Sequence, residues 1–316
     1  MIHKRGRSTD VDNLADLSVS LGRIHLKNPV LVASGTFGYG EEYQDLVEAA
    51  QLGGIITKAV TLEPREGNPP PRLAETPAGL LNSIGLENPG IEVFLKEKLP
   101  KLRKLKTRII VNIAGEKKTE YLDLAERLGR ETGIDALEVN ISCPNVQKGG
   151  FVFGTRADLA FSLVKGLRQA TDLPLIVKLT PNVTDVTEIA QAAKEGGAEA
   201  LSLINTILGM AIDVNTRRSK IGAITGGLSG PAIRPVAVRM VHQTFQKVDL
   251  PLIGMGGIAC AEDALEFVLA GATAVAVGTA NLVDPTVSLK IIEGLRQYLK
   301  KGGIHSFQSL IGTLRI

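Results

Sequence analysis

Polar side chains close most of the short apolar segments of this 316-residue chain, and their types suit the binding of a polar ring. Lysine, asparagine, serine and threonine offer hydrogen bonds and positive charge without forming a metal-ligand set. Any one of them could simply end a strand, but their recurrence at successive segments indicates a site for a polar, planar, anionic ligand. These residues are Ser34, Lys58, Asn112, Asn140, Lys178, Asn205 and Thr206.

Cys143 has the position that most favours catalysis. It stands in Ser142-Cys143-Pro144-Asn145, directly after a predicted strand, and the proline prevents simple helical continuation. The structural alternative is a buried free cysteine, which we adopt for Cys260. At Cys143 a thiolate could abstract a proton, attack as a nucleophile, or do both. None of the four histidines follows a predicted strand, so a histidine base is not expected.

Two glycine-rich segments follow the last two predicted strands, Gly254-Met255-Gly256-Gly257-Ile258 and Val277-Gly278-Thr279-Ala280. Glycine lets backbone N–H groups approach a ligand closely, and barrel phosphate sites are commonly built from these two loops. Tight turning is the structural alternative. The spacing differs from the dinucleotide fingerprint G-x-G-x-x-G, so we predict a mononucleotide phosphate site and not NAD binding.

Eight short runs of branched apolar residues must position these groups. The runs are continuous, which is typical of strands buried on both faces of a parallel sheet, and segments with helical spacing lie between most of them. We predict an α/β fold, a (β/α)8 TIM barrel, with a doubly wound open sheet as the alternative. The runs are Pro29–Ala33, Gly54–Lys58, Arg108–Ile113, Ala136–Ile141, Pro174–Leu179, Ala200–Asn205, Pro251–Met255 and Ala274–Gly278.

Three stretches exceed a minimal barrel. Leu17–Leu26 predicts a hairpin ahead of the first strand that closes the barrel bottom. Thr61–Thr107 and Thr206–Gly230 follow strand ends and are predicted to be insertions over the C-terminal mouth, where barrel loops commonly have functional roles. Residues 1–16 are expected to be a flexible tail, and residues 17–316 a single barrel domain.

Composition excludes several classes of function. The 36 basic and 33 acidic residues are spread along the chain, so nucleic acid is not an expected partner. Two cysteines cannot build a disulfide framework. No apolar stretch approaches the roughly 18 residues that cross a bilayer, and the N-terminus has no secretory pattern. We expect a cytoplasmic protein that binds neither membrane nor metal.

From about Leu17 to the C-terminus the sequence resembles the dihydroorotate dehydrogenases. Single motifs such as Gly-Met-Gly-Gly are weak, but their order along the strand ends is specific. Besides the two glycine-rich segments, the matching motifs are Ala33-Ser34-Gly35-Thr36-Phe37-Gly38, Thr57-Lys58-Ala59-Val60-Thr61, Asn82-Ser83-Ile84-Gly85-Leu86, Asn112-Ile113-Ala114-Gly115, Glu138-Val139-Asn140-Ile141-Ser142-Cys143-Pro144-Asn145, Val177-Lys178-Leu179-Thr180-Pro181-Asn182, Asn205-Thr206 and Gly226-Gly227-Leu228-Ser229-Gly230.

The resemblance implies an FMN enzyme that oxidises (S)-dihydroorotate to orotate in de novo pyrimidine biosynthesis. Cys143 would take the proton alpha to the ring carbonyl while a hydride passes to FMN, and a lysine near the flavin would stabilise its reduced form. The implied FMN residues are Ser34, Lys58, Ala59, Asn112, Asn140, Lys178, Ile204, Gly230, Gly256, Gly257, Gly278 and Thr279. The implied substrate residues are Lys58, Asn82, Ser83, Ile84, Gly85, Leu86, Asn140, Asn205 and Thr206.

A cysteine base and the lack of an N-terminal apolar helix resemble class 1 of the family, not the membrane-bound class 2. The segment Thr61–Asn68 is similar to class 1B, the NAD-linked form. That form implies a homodimer at the core of a heterotetramer, whose other subunit holds FAD and a [2Fe–2S] cluster. Two scattered cysteines cannot ligate the cluster, which places it on the partner. The fumarate-using class 1A is the alternative within the family.

Three alternatives come from outside the family. A Schiff-base lyase could use Lys58 or Lys178. A flavin barrel that reduces uridines in tRNA also uses a cysteine, but we would expect it to have a basic surface or an RNA-binding extension. A non-catalytic interaction subunit is disfavoured, because a scaffold has no physical need for Cys143 and the polar strand ends.

Overall fold

The structure, a computed structural model, describes residues 15–142 and 150–315. Its strands are β1 Val19–Leu21, β2 Ile24–Leu26, β3 Val30–Val32, β4 Gly54–Ile56, β5 Leu73–Thr76, β6 Gly79–Asn82, β7 Arg108–Ile113, β8 Ala136–Asn140, β9 Leu175–Lys178, β10 Ala200–Leu203, β11 Ile207–Gly209, β12 Ile212–Asp213, β13 Arg218–Ser219, β14 Gly226–Ser229, β15 Leu252–Met255 and β16 Ala274–Val277.

The α-helices in this part of the chain vary from one turn to more than four. They are α1 Gly90–Val93, α2 Leu99–Leu102, α3 Lys118–Gly129, α4 Gly150–Thr155, α5 Ala157–Ala170, α6 Val186–Gly196, α7 Arg234–Lys247, α8 Ala261–Leu269, α9 Ala280–Val283 and α10 Val287–Gly302. A π-helical segment, Phe94–Lys98, joins α1 to α2. No helix among the described residues is long and apolar enough to cross a bilayer.

Eight parallel strands close into a barrel, in the ring order β3-β4-β7-β8-β9-β10-β15-β16. Every residue of these strands except Arg108 is buried, because one face fills the barrel and the other packs against helices. Each strand overlaps one of the eight predicted runs. The predicted (β/α)8 fold is therefore confirmed, and the open doubly wound sheet is excluded.

Helix α6 illustrates why the intervening segments fold as they do. Asp185 accepts a hydrogen bond from Thr187 N at 2.8 Å and so caps the first turn. Gly197 ends the helix at φ +104°, a left-handed conformation that glycine adopts without steric cost. Val186, Ile189 and Ala193 recur at helical spacing and are buried against the barrel.

The N-terminal hairpin covers the barrel bottom, as predicted. Strands β1 and β2 pair antiparallel. Arg23 binds both carboxylate oxygens of Glu199, which directly precedes β10, and Arg108 at the start of β7 donates to His25 O at 2.9 Å. Of the predicted flexible tail, residues 1–14 lie outside the described residues, and Asp16 pairs with Ser306.

The two predicted insertions meet at the C-terminal mouth and pair with each other. Strands β5 and β6 from the first insertion and β11 and β14 from the second form one antiparallel sheet, in the order β11-β14-β6-β5. The first predicted insertion is too long. Its second half is the helical segment 90–105, whose Phe94, Leu99 and Leu102 are fully buried, so this half is the barrel's own helix between β4 and β7.

Candidate active site

A buried carboxylate lies among the polar side chains of the barrel interior. Glu138, in the middle of β8, is fully buried and accepts hydrogen bonds from Asn112 Nδ2 at 2.5 Å and Ser202 Oγ at 2.7 Å. Lys178 Nζ lies 3.6 Å from Glu138 Oε2, the oxygen that Asn112 also contacts. Because these partners come from β7, β10 and β9, one glutamate links four of the eight barrel strands.

The surroundings of Glu138 determine which atoms face a ligand. An amide N–H and a hydroxyl donate hydrogen bonds to its carboxylate, and the Lys178 ammonium forms an ion pair with it. Since Asn112 uses its N–H groups on this carboxylate, Oδ1 lies on the other side of the amide, buried and without a partner among the described residues. Leaving a buried acceptor unpaired costs about 1–3 kcal/mol, so this atom indicates a ligand that donates a hydrogen bond.

A second lysine, Lys58, follows β4 and is more accessible. Its Nζ lies 3.9 Å from Glu87 Oε2, which also accepts a hydrogen bond from Arg72. The Lys58 side chain is 27% exposed and that of Lys178 is 6% exposed. An anionic solute that enters from solvent therefore meets Lys58 first.

The predicted substrate loop 82–86 is held in place by hydrogen bonds from both insertions. Asn68 Nδ2 donates to Ser83 Oγ at 2.6 Å, and Asn68 N donates to Ile84 O at 3.0 Å. Asn82 Nδ2 donates to Gly227 O at 3.0 Å, on β14. Gly85 and Leu86 follow with φ of 75° and 57°. The loop is thus fixed between Asn68 and the sheet over the mouth.

A chain of hydrogen bonds joins Asn140 to Asn205 through Ser142. Asn140 Oδ1 accepts from Ser142 N at 3.3 Å and Ser142 Oγ at 3.2 Å, and Asn205 Nδ2 donates to Ser142 Oγ at 2.8 Å. Asn205 Oδ1 in turn accepts from Thr206 N at 2.8 Å. These contacts bring three predicted substrate residues together beside Ser142. Cys143, the predicted base, lies outside the described residues.

The predicted phosphate loops approach one another closely. A Cβ atom on Gly257, whose φ is +85°, would lie 2.8 Å from Gly230 O, so only glycine fits there. Thr279 Oγ1 donates to Ser229 Oγ at 2.8 Å and ties the loop after β16 to β14. Within the described ranges, the backbone N–H groups of Gly257 and Thr279 donate no hydrogen bond. They are free to bind an anion.

The remaining predicted cofactor residues border these groups. A Cβ on Gly256 would lie 3.4 Å from the side chain of Ile204, and one on Gly278 would lie 3.7 Å from Ala33 Cβ, next to Ser34. Ala59 is buried directly after Lys58. Ser34 is half-buried, and its side chain makes no hydrogen bond with the residues that the structure describes.

Sequence reasoning gave no role to Glu138, Ser142 or Asn182. Asn182 Nδ2 donates to Thr206 O at 3.1 Å, and its Oδ1 accepts from Leu208 N at 2.9 Å, which holds β11 at the mouth. Glu138 had a usable signal, because a charged residue interrupts the apolar run Ala136–Ile141 and lies on the same strand face as Asn140. Ser142 and Asn182 had no signal beyond lying in matched motifs.

Tyr39, in the loop after β3, is a further buried polar group. Burial and the Glu42 carboxylate raise the pKa of Tyr39, so its phenol is neutral at physiological pH. The hydroxyl has no hydrogen-bond partner among residues 15–142 and 150–315.

Among the described residues, no group of three His, Cys, Asp or Glu residues is placed to hold a metal ion.

Comparisons with known proteins agree in one family. The family model described as dihydroorotate dehydrogenase matches residues 16–299. The chain is 55% identical over 299 residues to the protein of Geotalea uraniireducens (strain Rf4) named dihydroorotate dehydrogenase B (NAD(+)), catalytic subunit, with 95% of this chain and 98% of that protein covered. The protein of the same name from Bacteroides thetaiotaomicron is 50% identical, with 96% and 100% covered.

Among solved structures, the chain is similar to the crystal structure of DHODH in complex with ferulenol from Eimeria tenella. The TM-score is 0.80, with 24% sequence identity, and the match covers 96% of this chain and 90% of that chain. At this identity the likeness supports the barrel fold alone.

Proposed function

This chain belongs to the dihydroorotate dehydrogenase family, and from that premise we propose how its residues divide the oxidation of dihydroorotate to orotate. The enzyme is an oxidoreductase of pyrimidine biosynthesis. The observation that supports our assignment most is the buried Asn112–Glu138–Lys178 cluster, which offers an unpaired acceptor and a cation beside the Asn140–Ser142–Asn205 chain. The cluster suits a flavin ring, and the chain of hydrogen bonds suits the substrate.

The residues at the mouth fit FMN. The free acceptor of Asn112 and the ammonium of Lys178 match the N–H and carbonyl groups on the polar edge of the flavin ring. The free N–H groups of Gly257 and Thr279 suit its phosphate. We assign FMN binding to these residues together with Ser34, Lys58, Ala59, Asn140, Ile204, Gly230, Gly256 and Gly278. Bound FMN would supply the acceptor for a hydride.

Cys143 is proposed as the general base. It takes the proton alpha to the ring carbonyl of dihydroorotate, and the hydride leaves from the neighbouring ring carbon. Ser142, fixed by Asn140 and Asn205, anchors the backbone that leads directly to Cys143. A free thiol has a pKa of about 8.5, so a lowered pKa at Cys143 would match a base that works near neutral pH.

The substrate is proposed to bind between Lys58, the loop 82–86 and the Asn140–Asn205 pair. Lys58 is the accessible cation and suits the orotate carboxylate. The amides of Asn82, Asn140 and Asn205 and the hydroxyl of Thr206 suit the amide edges of a pyrimidine ring. Ser83, Ile84, Gly85 and Leu86 shape the loop that covers the ring.

Electrons are proposed to pass from this chain to NAD through a partner subunit. The relatives' names describe a catalytic subunit, which implies a second subunit. We assign FAD and a [2Fe–2S] cluster to that partner, and a homodimer of this chain to the core of a cytoplasmic heterotetramer. An exposed apolar surface on the second insertion supports assembly. It consists of Leu208, Met210, Ile212, Val214 and Ile224.

An anaerobic titration of the purified chain with dihydroorotate tests the proposal. Loss of the visible flavin absorption is the expected result. A yellow chain that stays oxidised, also with its partner subunit, would contradict the substrate assignment. A colourless chain that FMN cannot reconstitute would contradict the cofactor assignment. Addition of NAD or fumarate to the reduced protein, with and without the partner, then distinguishes class 1B from class 1A.

A further inference from the structure

We propose that Glu138 is a positioning residue that holds Lys178 and Asn112 in the orientations that face the flavin and limits the positive charge that the flavin experiences. The inference rests on the proposed FMN site. It concerns a side chain that is fully buried in β8 and whose polar partners among the described residues are Asn112, Lys178 and Ser202. Glu138 therefore acts through its two neighbours.

The geometry gives Glu138 control over both orientations. Asn112 Nδ2 and Lys178 Nζ contact the same oxygen, Glu138 Oε2, at 2.5 and 3.6 Å. The other oxygen, Oε1, accepts from Ser202 Oγ at 2.7 Å, which prevents the carboxylate from rotating freely. Without the carboxylate, the Asn112 amide could turn its N–H groups toward the flavin in place of its oxygen.

Glu138 also reduces the positive charge that the flavin experiences. The Lys178 side chain is buried, so little solvent screens its ammonium, and Glu138 is its one ion-pair partner within 4 Å among the described residues. A buried cation beside the flavin favours the extra negative charge that reduction adds. Glu138 offsets part of that cation, so the pair sets the flavin potential lower than a lone lysine would.

The experiment compares wild type with Glu138→Gln, which keeps the size of the side chain and removes the charge. Sulfite adds to oxidised flavin and leaves a negative charge on the ring, so its affinity reports the local positive charge without any substrate. At pH 6 we expect E138Q to bind sulfite at least tenfold more tightly, to have a more positive flavin potential, and to bind FMN at least tenfold more weakly. Unchanged sulfite affinity and potential would overturn the proposal.

Two further variants separate this role from simple packing. Ser202→Ala removes one hydrogen bond and keeps the charge, and it should leave the potential and sulfite affinity unchanged. Shifts in S202A equal to those of E138Q would indicate packing alone and contradict the proposal. Glu138→Asp keeps the charge but cannot reach Asn112 and Lys178 together, so it should weaken FMN binding several-fold. E138D with wild-type affinity would also overturn the proposal, even if E138Q failed to fold.

A Lys178→Met background tests whether Glu138 acts on the flavin through Lys178. There the ammonium that Glu138 orients and offsets is gone, so E138Q should have little further effect on sulfite affinity. An equal effect in both backgrounds would show that Glu138 does not act through Lys178. If instead wild type bound FMN and sulfite normally but did not respond to dihydroorotate, the proposed substrate would be wrong and the role of Glu138 would stand.

Discussion

Ser142 and Asn205 join two barrel strands that are not neighbours. Asn205 Nδ2 donates to Ser142 Oγ at 2.8 Å and to Ser142 O at 3.2 Å, although β9 separates β8 from β10 in the ring. Ser142 is fully buried, and the predicted base is the next residue along the chain. The contact therefore ties an amide that we propose to bind substrate to the backbone that leads to the proposed base.

Ser142→Ala is expected to lower kcat/KM for dihydroorotate by about 10- to 100-fold while FMN content stays unchanged. The loss corresponds to about 1–3 kcal/mol, because Asn205 loses its closer acceptor and Asn140 loses a donor. Steady-state kinetics and the flavin-to-protein ratio measure the two effects. Ser309→Ala, at the exposed C-terminal segment, is the control. A variant with wild-type kcat/KM would show that this contact does not position the site.

Cys143→Ser is expected to lower turnover about 10²–10⁴-fold at neutral pH with the flavin still bound, because a hydroxyl is a much weaker acid than a thiol. Activity in C143S should recover partly as pH rises. Cys260→Ser is the matched control. Cys260 was expected to be buried, but it is exposed at the N-cap of α8, where serine caps a helix at least as well. Equal rates for C143S and wild type would remove Cys143 from the mechanism.

The polar residues at the strand ends could be predicted from the sequence. The barrel strands are apolar because both of their faces are buried, so a polar residue that interrupts such a run stands out. Asn112 and Lys178 follow this rule, and both lie in the buried cluster. Glu138 lies two residues before Asn140, and a lone charge within a strand does not reveal that its partners come from three other strands. Such partners depend on barrel closure, which no local pattern encodes.

The pairing of strands in the antiparallel sheet over the barrel mouth also could not be predicted from a local sequence pattern. Asn82 and Gly227 are register partners on β6 and β14, although 145 positions separate them in the chain. Composition could indicate that both segments are insertions. Their pairing could not be predicted, because it requires the barrel first to bring the ends of β4 and β10 to one face. Segment 90–105 was wrongly assigned to the insertion, because a (β/α)8 barrel requires a helix between β4 and β7 and this segment supplies it.

Gly257→Ala is expected to raise the dissociation constant for FMN at least tenfold. Its added Cβ would meet Gly230 O and Arg234 Cβ at 2.8 Å, and its φ of +85° disfavours any L side chain. Fluorescence titration of the apoprotein with FMN measures the effect. Gly303→Ala is the control, because Gly303 has a similar φ of +63° but no atom within 4 Å of its Cβ position. Equal FMN affinity in both variants would argue against a phosphate site here.

Val214→Asp is expected to change the assembly and not the fold. Val214 is 81% exposed and lies in the apolar surface of the second insertion, so a buried interface there would have to take up a charge. Light scattering after gel filtration should show a dimer for wild type and a monomer for V214D, with FMN content retained. Leu314→Asp, at another exposed apolar residue, should stay dimeric. A dimeric V214D would place the interface elsewhere.

Glu199 provides a prediction for the dependence of stability on pH. Hydrogen bonds and charge from Arg23, with a contribution from Arg168, hold the pKa of Glu199 below its ordinary value. A lowered folded-state pKa means that the stabilisation is complete above the unfolded value of about 4.3 and is lost as pH falls through the folded value. Since the pair is partly open to solvent, Glu199→Gln should lower the free energy of unfolding by only about 0.5 kcal/mol at pH 7.

Urea unfolding at pH 7, 5, 4 and 3 measures this effect. The difference between wild type and E199Q should persist at pH 5 and shrink as the pH falls below the unfolded value of about 4.3 toward the lowered folded-state pKa. Glu75→Gln, at an exposed position in β5, should match wild type throughout. A constant difference at every pH would mean that Glu199 stabilises the hairpin through packing and not through its charge. Because the hairpin covers the bottom of the barrel, far from Lys178, FMN affinity should stay unchanged in E199Q.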